Sequence, residues 1–369
     1  MTPQIEIILI ATVVSIACAI PGVFLVLRGV ALMSDAISHS ILLGIVVTFF
    51  MIKTLESPLL IIGAALAGLL TVMLTEWVIK TKRLKKDAAI GLIFPVFFSI
   101  GVILISKFAG NIHIDVDAVL LGELAFAPFN RVTLGAVDMG PYALWVMGVI
   151  LAINVGLLGL FYKELKISTF DAGLAATLGF APGFIHYGLM GVTSITAVGA
   201  FDAVGSILVV ALMIAPPATA FLLTERLSRM IGLSMVFGFL SAILGYLLAH
   251  FLDASIAGAM ATMSGVLFVG VLFFSPIDGL LFRLMRSRHQ KVIFACHMLV
   301  VQLLGHENQE NESQENTISN MIHHMGWSID FAHQVASRSV QTGLIKRNRD
   351  HLILTGLGRE TAMRVMVNP

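Results

Sequence analysis

Charge is what this chain has least of. Only 12% of its 369 residues are Asp, Glu, Lys or Arg, against about 25% in a typical soluble domain. Hydrophobic residues make up 57%, more apolar surface than one soluble core of this length could hide. Cysteine is nearly absent: Cys18 lies in the first apolar block and Cys296 in a distant polar region. That pair excludes a disulfide framework and a thiolate metal site. No Gly-x-x-x-x-Gly-Lys-Ser/Thr phosphate loop occurs, which excludes ATP chemistry of that kind on this chain. The first apolar block has no basic n-region and is followed by Arg28, which reads as a retained helix rather than a cleaved signal peptide. The net charge of +1 points to no partner.

What is present is a series of apolar blocks near the length that crosses ~30 Å of hydrocarbon at 1.5 Å per residue. They predict spans near 5–27, 30–52, 58–79, 88–107, 141–162, 183–201, 203–223, 231–251 and 256–275. Positive charge assigns the sides. Lys80, Lys82, Arg83, Lys85 and Lys86 follow the third span, and Lys163 and Lys166 the fifth. Arg226 and Arg229 follow the seventh, and Arg283, Arg286 and Arg288 the last. All of these can be cytoplasmic at once if nine spans run from an outer N-terminus to an inner C-terminus. Eight spans with one block re-entrant is the other count. Either way the fold class is an all-α polytopic membrane protein.

Within the second span, Asp35 and His39 stand one helical turn apart and leave the same helix face. A charged group in hydrocarbon costs roughly 3 kcal/mol or more, so the pair is a functional-site hypothesis by default. One oxygen and one nitrogen donor suit zinc, manganese or iron. Counted from Arg28, the pair lies about 10–16 Å along the helix, near mid-membrane. An Asp–His hydrogen bond that packs spans together is the competing reading. Asp202 is a second candidate, at the start of a span between Gly199 and Gly205; a helix N-cap near the outer interface explains it equally. His186 and His250 read as interfacial polar residues, and Asp253 as the cap of the helix beginning near Ser255.

Two non-spanning stretches stand out. Residues 108–140, on the outer side, hold His113, Asp115, Asp117 and Glu123, either in a surface or re-entrant helix closing the mouth or as direct metal contacts. On the inner side, residues 163–182 predict a short amphipathic helix: Asp171 as N-cap, Ala175 and Ala176 in its body, Gly179 and Pro182 ending it.

The segment Phe170-Asp171 through Ala175 to Gly179 resembles the coupling helix of an ABC importer permease, the element seated in a cleft of the ATPase. Leu32-Met33-Ser34-Asp35-Ala36-Ile37-Ser38-His39-Ser40 resembles the signature of the permeases that import manganese, zinc or iron. Ala88–Phe94, Phe201–Gly205 and Ala211–Ala220 fit the same family. The resemblance covers roughly residues 5–280, with Ser34 where the family usually carries glycine. It implies a multi-pass permease of the bacterial cytoplasmic membrane, not itself an enzyme. Two permease chains, identical or paralogous, would form the pathway, with ATP bound on separate ATPase subunits and an extracytoplasmic protein delivering the divalent metal. Asp35, His39 and Asp202 become the expected pathway or gate residues. Two other readings compete. One is a permease for a chelated metal or siderophore, which needs a wide path without a paired Asp–His. The other is a membrane-tethered metal-responsive regulator, for which nine spans are excessive.

The composition changes after Arg288, dividing the chain at 1–286 and 287–369. The tail predicts helices near 289–304, 315–325 and 328–343, a hairpin over 344–354 and a last helix from about 355. This order resembles a winged helix, similar to the N-terminal part of iron- and manganese-dependent repressors, placed here in the cytoplasm. Arg338, Lys346, Arg347 and Arg349 sit where such a domain contacts DNA. Yet residues 287–369 carry eight Lys/Arg against seven Asp/Glu, so protein contact or regulation ranks ahead of DNA binding. Seven of the eleven histidines, His323, His324 and His333 among them, fall in this tail and read more simply as surface residues than as a sensor.

Overall fold

The computed structural model describes residues 2–54, 57, 59–108, 124–134, 137–275, 279–307 and 316–367, which divide into two compact units, Met1–Gly279 and Leu280–Pro369. Unit 1 contains α1 (Pro3–Leu27), α2 (Met33–Ile52), α3 (Leu59–Lys80), α4 (Lys86–Phe108), α5 (Tyr142–Leu160), α6 (Tyr162–Phe170), α7 (Ala172–Thr177), α8 (Pro182–Val204), α9 (Ser206–Phe221), α10 (Leu227–Leu252) and α11 (Ile256–Phe274). A two-stranded hairpin, β1 (Arg131–Leu134) and β2 (Val137–Pro141), precedes α5. Among the described residues, eight helices are long and apolar enough to cross a membrane: α1 to α5, α8, α10 and α11.

The seventh predicted block becomes the short helix α9. At 16 residues it is about 24 Å long, less than the hydrocarbon thickness. The break between α8 and α9 falls at Gly205, whose φ of +78° suits glycine because no Cβ opposes it. Asp202 therefore lies in the last turn of α8, not at the start of a span as its flanking glycines suggested. Asp253 is likewise corrected. It ends α10 in the left-handed conformation, while Ser255 caps α11 by accepting from the Gly258 N–H.

Helix α1 is the axis of the unit, packed by α5, α8, α9 and α10 with Ile10, Val14, Ala17 and Cys18 fully buried. Several hydroxyls in the spans are satisfied within their own helix. Ser15 donates to Ala11 O, Ser38 to Ser34 O, Thr71 to Ala67 O and Ser234 to Met230 O. Pro217 in α9 cannot donate to the carbonyl of Met213, four residues back. That carbonyl faces Gly22 of α1, where an added Cβ would sit 2.1 Å from it. Asn154 of α5 ties three helices by donating to Ala17 O and Thr196 Oγ1, both at 3.0 Å.

Helix α2 packs on α3 and α4. It approaches α3 closely at Gly44, where a Cβ would lie 2.4 Å from Gly63 O and 2.7 Å from Ala64 Cα; small residues permit such contact between membrane helices. Gly44→Val is expected to wedge the two helices apart and destabilise the detergent-solubilised protein by about 1–3 kcal/mol, the usual range for overpacking. A thermal-unfolding comparison with wild type checks it, and an unchanged midpoint would contradict the close-packing account.

Unit 2 contains α12 (Leu280–His306), α13 (Ile318–Met325), α14 (Ile329–Gln341), the hairpin β3 (Ile345–Asn348) and β4 (His351–Leu354), and α15 (Gly356–Val367). Its first helix begins at Leu280, nine residues before the expected start. Leu299, Val300, Leu303, Met321, Val335, Ile345, Leu352 and Ala362 form its core. Thr317 and Ser328 cap α13 and α14, accepting from Asn320 N and Phe331 N.

Candidate functional site

Asp35 and His39 face each other across one turn of α2, with His39 Nε2 3.3 Å from Asp35 Oδ1. Two donors each about 2.1 Å from one ion, at angles between octahedral and tetrahedral, stand about 3.0–3.4 Å apart. The observed separation therefore fits a chelating pair without rearrangement. The His39 ring is clamped by α4: it stacks on Phe94 at 5.5 Å between centroids and meets the edge of Phe98 at 5.7 Å. The backbone beneath the pair is fully buried, with Ser34, Ala36, Ile37, Ser38 and Ser40 all packed inward. Asp35 and His39 nevertheless retain 35% and 29% of their side-chain exposure. One side of the pair is thus held rigidly and the other is open. No group of three or more His, Cys, Asp or Glu residues that could hold a metal occurs among the described residues. Two donors are short of the four that such ions usually take.

Asp202, on α8, lies close to the break at Gly205 and is exposed; it does not join the pair in a metal-binding group. His113, Asp115 and Asp117, with Glu123, lie outside the described residues. The β1–β2 hairpin is anchored by a charge cluster that composition hid. Arg131 holds the buried Glu6 of α1 through Nη1 at 3.0 Å, and Asp138 through Nε at 2.6 Å. The Gly140 N–H and Arg131 keep the Asp138 carboxyl below its ordinary range.

The segment between α5 and α8 folds as two short helices, α6 and α7. Asp171 caps α7 by accepting from Leu174 N at 2.9 Å, Ala175 is fully buried, and Gly179 turns the chain at φ +85° before Pro182 opens α8. Phe170, Leu174 and Leu178 recur every four residues, yet all three are more than half or about half exposed, at 59%, 50% and 55%. Exposed apolar side chains clustered on a short segment mark a surface for contact with a protein or a membrane.

In unit 2, Arg338 lies on α14, Lys346 and Arg347 on β3, and Arg349 at the hairpin tip with φ +56°. All four are exposed. Arg338 reaches Gln341 at 3.5 Å and Arg347 donates to Arg349 O at 2.8 Å.

A helical membrane body with a partly exposed Asp–His pair in the first turns of one span suits a transport-type permease, and comparison with known proteins says which. The ABC 3 transport family matches residues 4–275, and the chain belongs to it. It is therefore a permease subunit of an ABC transporter, not itself an enzyme. The zinc transport system membrane protein TroD of Treponema pallidum (strain Nichols) is 48% identical over 353 residues, 96% of each chain. The manganese transport system membrane protein MntD of Bacillus subtilis (strain 168) is 46% identical over 287 residues, 78% of this chain and 97% of that protein. Among solved structures, PsaBC from Streptococcus pneumoniae in complex with Fab has a chain 29% identical, with a TM-score of 0.63, covering 75% of this chain and 94% of its own.

Proposed function

We propose that this chain carries a divalent transition metal, manganese, zinc or iron, inward across a bacterial cytoplasmic membrane as one half of an importer pathway. The observation that carries the reading is the Asp35–His39 pair, rigid on one side and open on the other. A second permease copy or a paralogue facing that open side supplies the donors that one chain lacks. The zinc and manganese systems of its relatives agree with this cargo. Asp202 stands further along α8 as a second pathway residue, and His113, Asp115 and Asp117 as weaker metal contacts at the outer mouth.

The remaining assembly follows from the same reading. Phe170, Asp171, Leu174 and Gly179, on a segment anchored by the buried Ala175, form the surface on which a cytoplasmic ATPase sits, and ATP is bound on that subunit rather than on this chain. An extracytoplasmic metal-binding protein delivers the ion to the side bearing the hairpin. The cytoplasmic tail is an added regulatory or protein-contact module. The alignment with MntD covers nearly all of that protein but only 78% of this chain, consistent with a tail dispensable for the pathway itself. Its resemblance to a winged helix leaves DNA contact through Arg338, Lys346, Arg347 and Arg349 second, because the tail's charges nearly balance.

The test is ATP-dependent uptake of isotopically labelled manganese, zinc and iron into proteoliposomes holding the chain with its ATPase and binding protein. Uptake of one ion that requires ATP supports the reading and names the cargo. No uptake of any free ion would overturn it and favour a chelate as cargo.

A further inference from the structure

A second polar network, separate from the Asp35–His39 pair, joins four segments of unit 1. Arg28, just after α1, donates from Nε to Thr169 Oγ1 at 3.2 Å and from Nη2 to Ser168 Oγ at 3.1 Å, both on α6. Its Nη1 lies 2.8 Å from Nδ1 of His186 on α8. The other ring nitrogen of His186 meets the carboxylate of Glu76 on α3. A guanidinium can only donate, so Nδ1 accepts from Arg28, while Nε2 faces the Glu76 carboxylate. The contacts run from α6 through Arg28 and His186 to Glu76 on α3, and Ser168 among them is buried.

Its two ends carry the argument. Thr169 is two residues from Asp171, the cap of α7. Arg28 opens the turn that leads into α2, and this turn is braced by several hydrogen bonds. Val30 N bonds Leu25 O, Met33 N bonds Val30 O, Ser34 N bonds Ala31 O and the Ser34 hydroxyl also bonds Ala31 O. A braced turn moves as a piece, so a displacement of α6 that pulls on the guanidinium also moves the start of α2, where Asp35 stands in the first turn, seven residues after Arg28.

We propose that the Arg28–His186–Glu76 network is the transmission element linking the α6–α7 segment to the α1–α2 turn and hence to the Asp35–His39 pair. The proposal rests on the reading of α6–α7 as the ATPase-docking segment. Arg28, His186 and Glu76 are positioning residues: none belongs to the metal pair. A planar guanidinium that grips two hydroxyls and a ring at once has the geometry for this, and polar side chains satisfied within a membrane bundle hold their helices in one arrangement.

The experiment compares wild type, Arg28→Ala, His186→Ala and His186→Gln in the assembled complex in proteoliposomes, measuring metal uptake and ATP hydrolysis on the same preparation. Expected for both alanine variants is assembly and ATP hydrolysis within about twofold of wild type, with uptake per ATP reduced about tenfold or more. His186→Gln keeps one acceptor and one donor and is expected to recover most of the coupling. A second readout needs no cargo. With Cys18 and Cys296 replaced by alanine, thiol labelling of Leu32→Cys, in the braced turn, is expected to change rate when a non-hydrolysable ATP analogue binds. Arg28→Ala should abolish that change. Wild-type uptake per ATP in both alanine variants overturns the proposal, as does parallel loss of assembly, hydrolysis and uptake, which would assign the network to packing alone. If the wild-type complex carries no free metal, the cargo reading fails while the labelling result still decides the relay.

Discussion

Asp35→Ala and His39→Ala are each expected to lower ATP-driven metal uptake by about 100-fold or more, with the assembled complex still recovered in normal yield. Loss of a group that merely orients a metal ligand already costs about 10–100-fold in affinity or activity, and on the proposed reading a ligand itself is lost. In a homodimer each substitution removes two donors at once. Neither side chain is needed to hold α2 in place: its buried face is formed by Met33, Ala36, Ile37 and Ile41, and the Asp35 and His39 side chains are a third exposed or nearly so. The alternative role, an Asp–His hydrogen bond that packs spans together, predicts the reverse order of effects. In that case the variants would lose thermal stability and keep their transport rate per assembled complex. Measuring uptake alongside the unfolding midpoint separates the two. His39→Gln refines the test, because an amide can replace a hydrogen bond but is a poor substitute for imidazole at a transition metal.

How much of this was legible beforehand differs from one element to the next. The eight long helices were, because length and composition decide them. The pair at Asp35 and His39 was legible because ionisable groups are scarce in spans and a spacing of four is meaningful on a helix. The cap at Asp171 and the turn at Gly179 were legible for the same local reason: capping chemistry depends on adjacent residues. What escaped was long-range. Glu6 and Glu76 are acids within spans and satisfied the same criterion that singled out Asp35. Their partners, Arg131 and His186, lie 125 and 110 positions away, and only the packed bundle brings them together. His186 read as an interfacial polar residue because one residue in isolation shows no network. Asp202 and Asp253 misled in a different way. A glycine near an acid signals a helix boundary but not which side of it the acid lies on, and Gly205, not Asp202, carries the positive φ.

Leu174→Asp is expected to release the ATPase from the permease, with the largest effect on assembly of any single substitution outside the membrane. Leu174 stands at the centre of the exposed row, flanked by Phe170 and Leu178, on a six-residue helix whose one buried anchor is Ala175. Burying a leucine at an interface contributes roughly 1.5–3 kcal/mol, and an unpaired carboxylate in its place adds a desolvation penalty. Each 1.4 kcal/mol is about tenfold in affinity, so a loss of about 100-fold in ATPase binding is the expected scale. Because Leu174 is half exposed in the isolated chain, the permease itself should fold and insert normally. Asp171→Ala should act more weakly, by about 1 kcal/mol through loss of the N-cap, since it loosens the helix without placing a charge in the interface. Co-purification of the ATPase with tagged permease gives the readout, and Leu174→Met, which keeps the apolar contact, should retain the complex. Full ATPase recovery with Leu174→Asp would mean that the apolar row is covered by lipid or by another subunit, and the docking surface would then have to be sought elsewhere on the same face of the bundle.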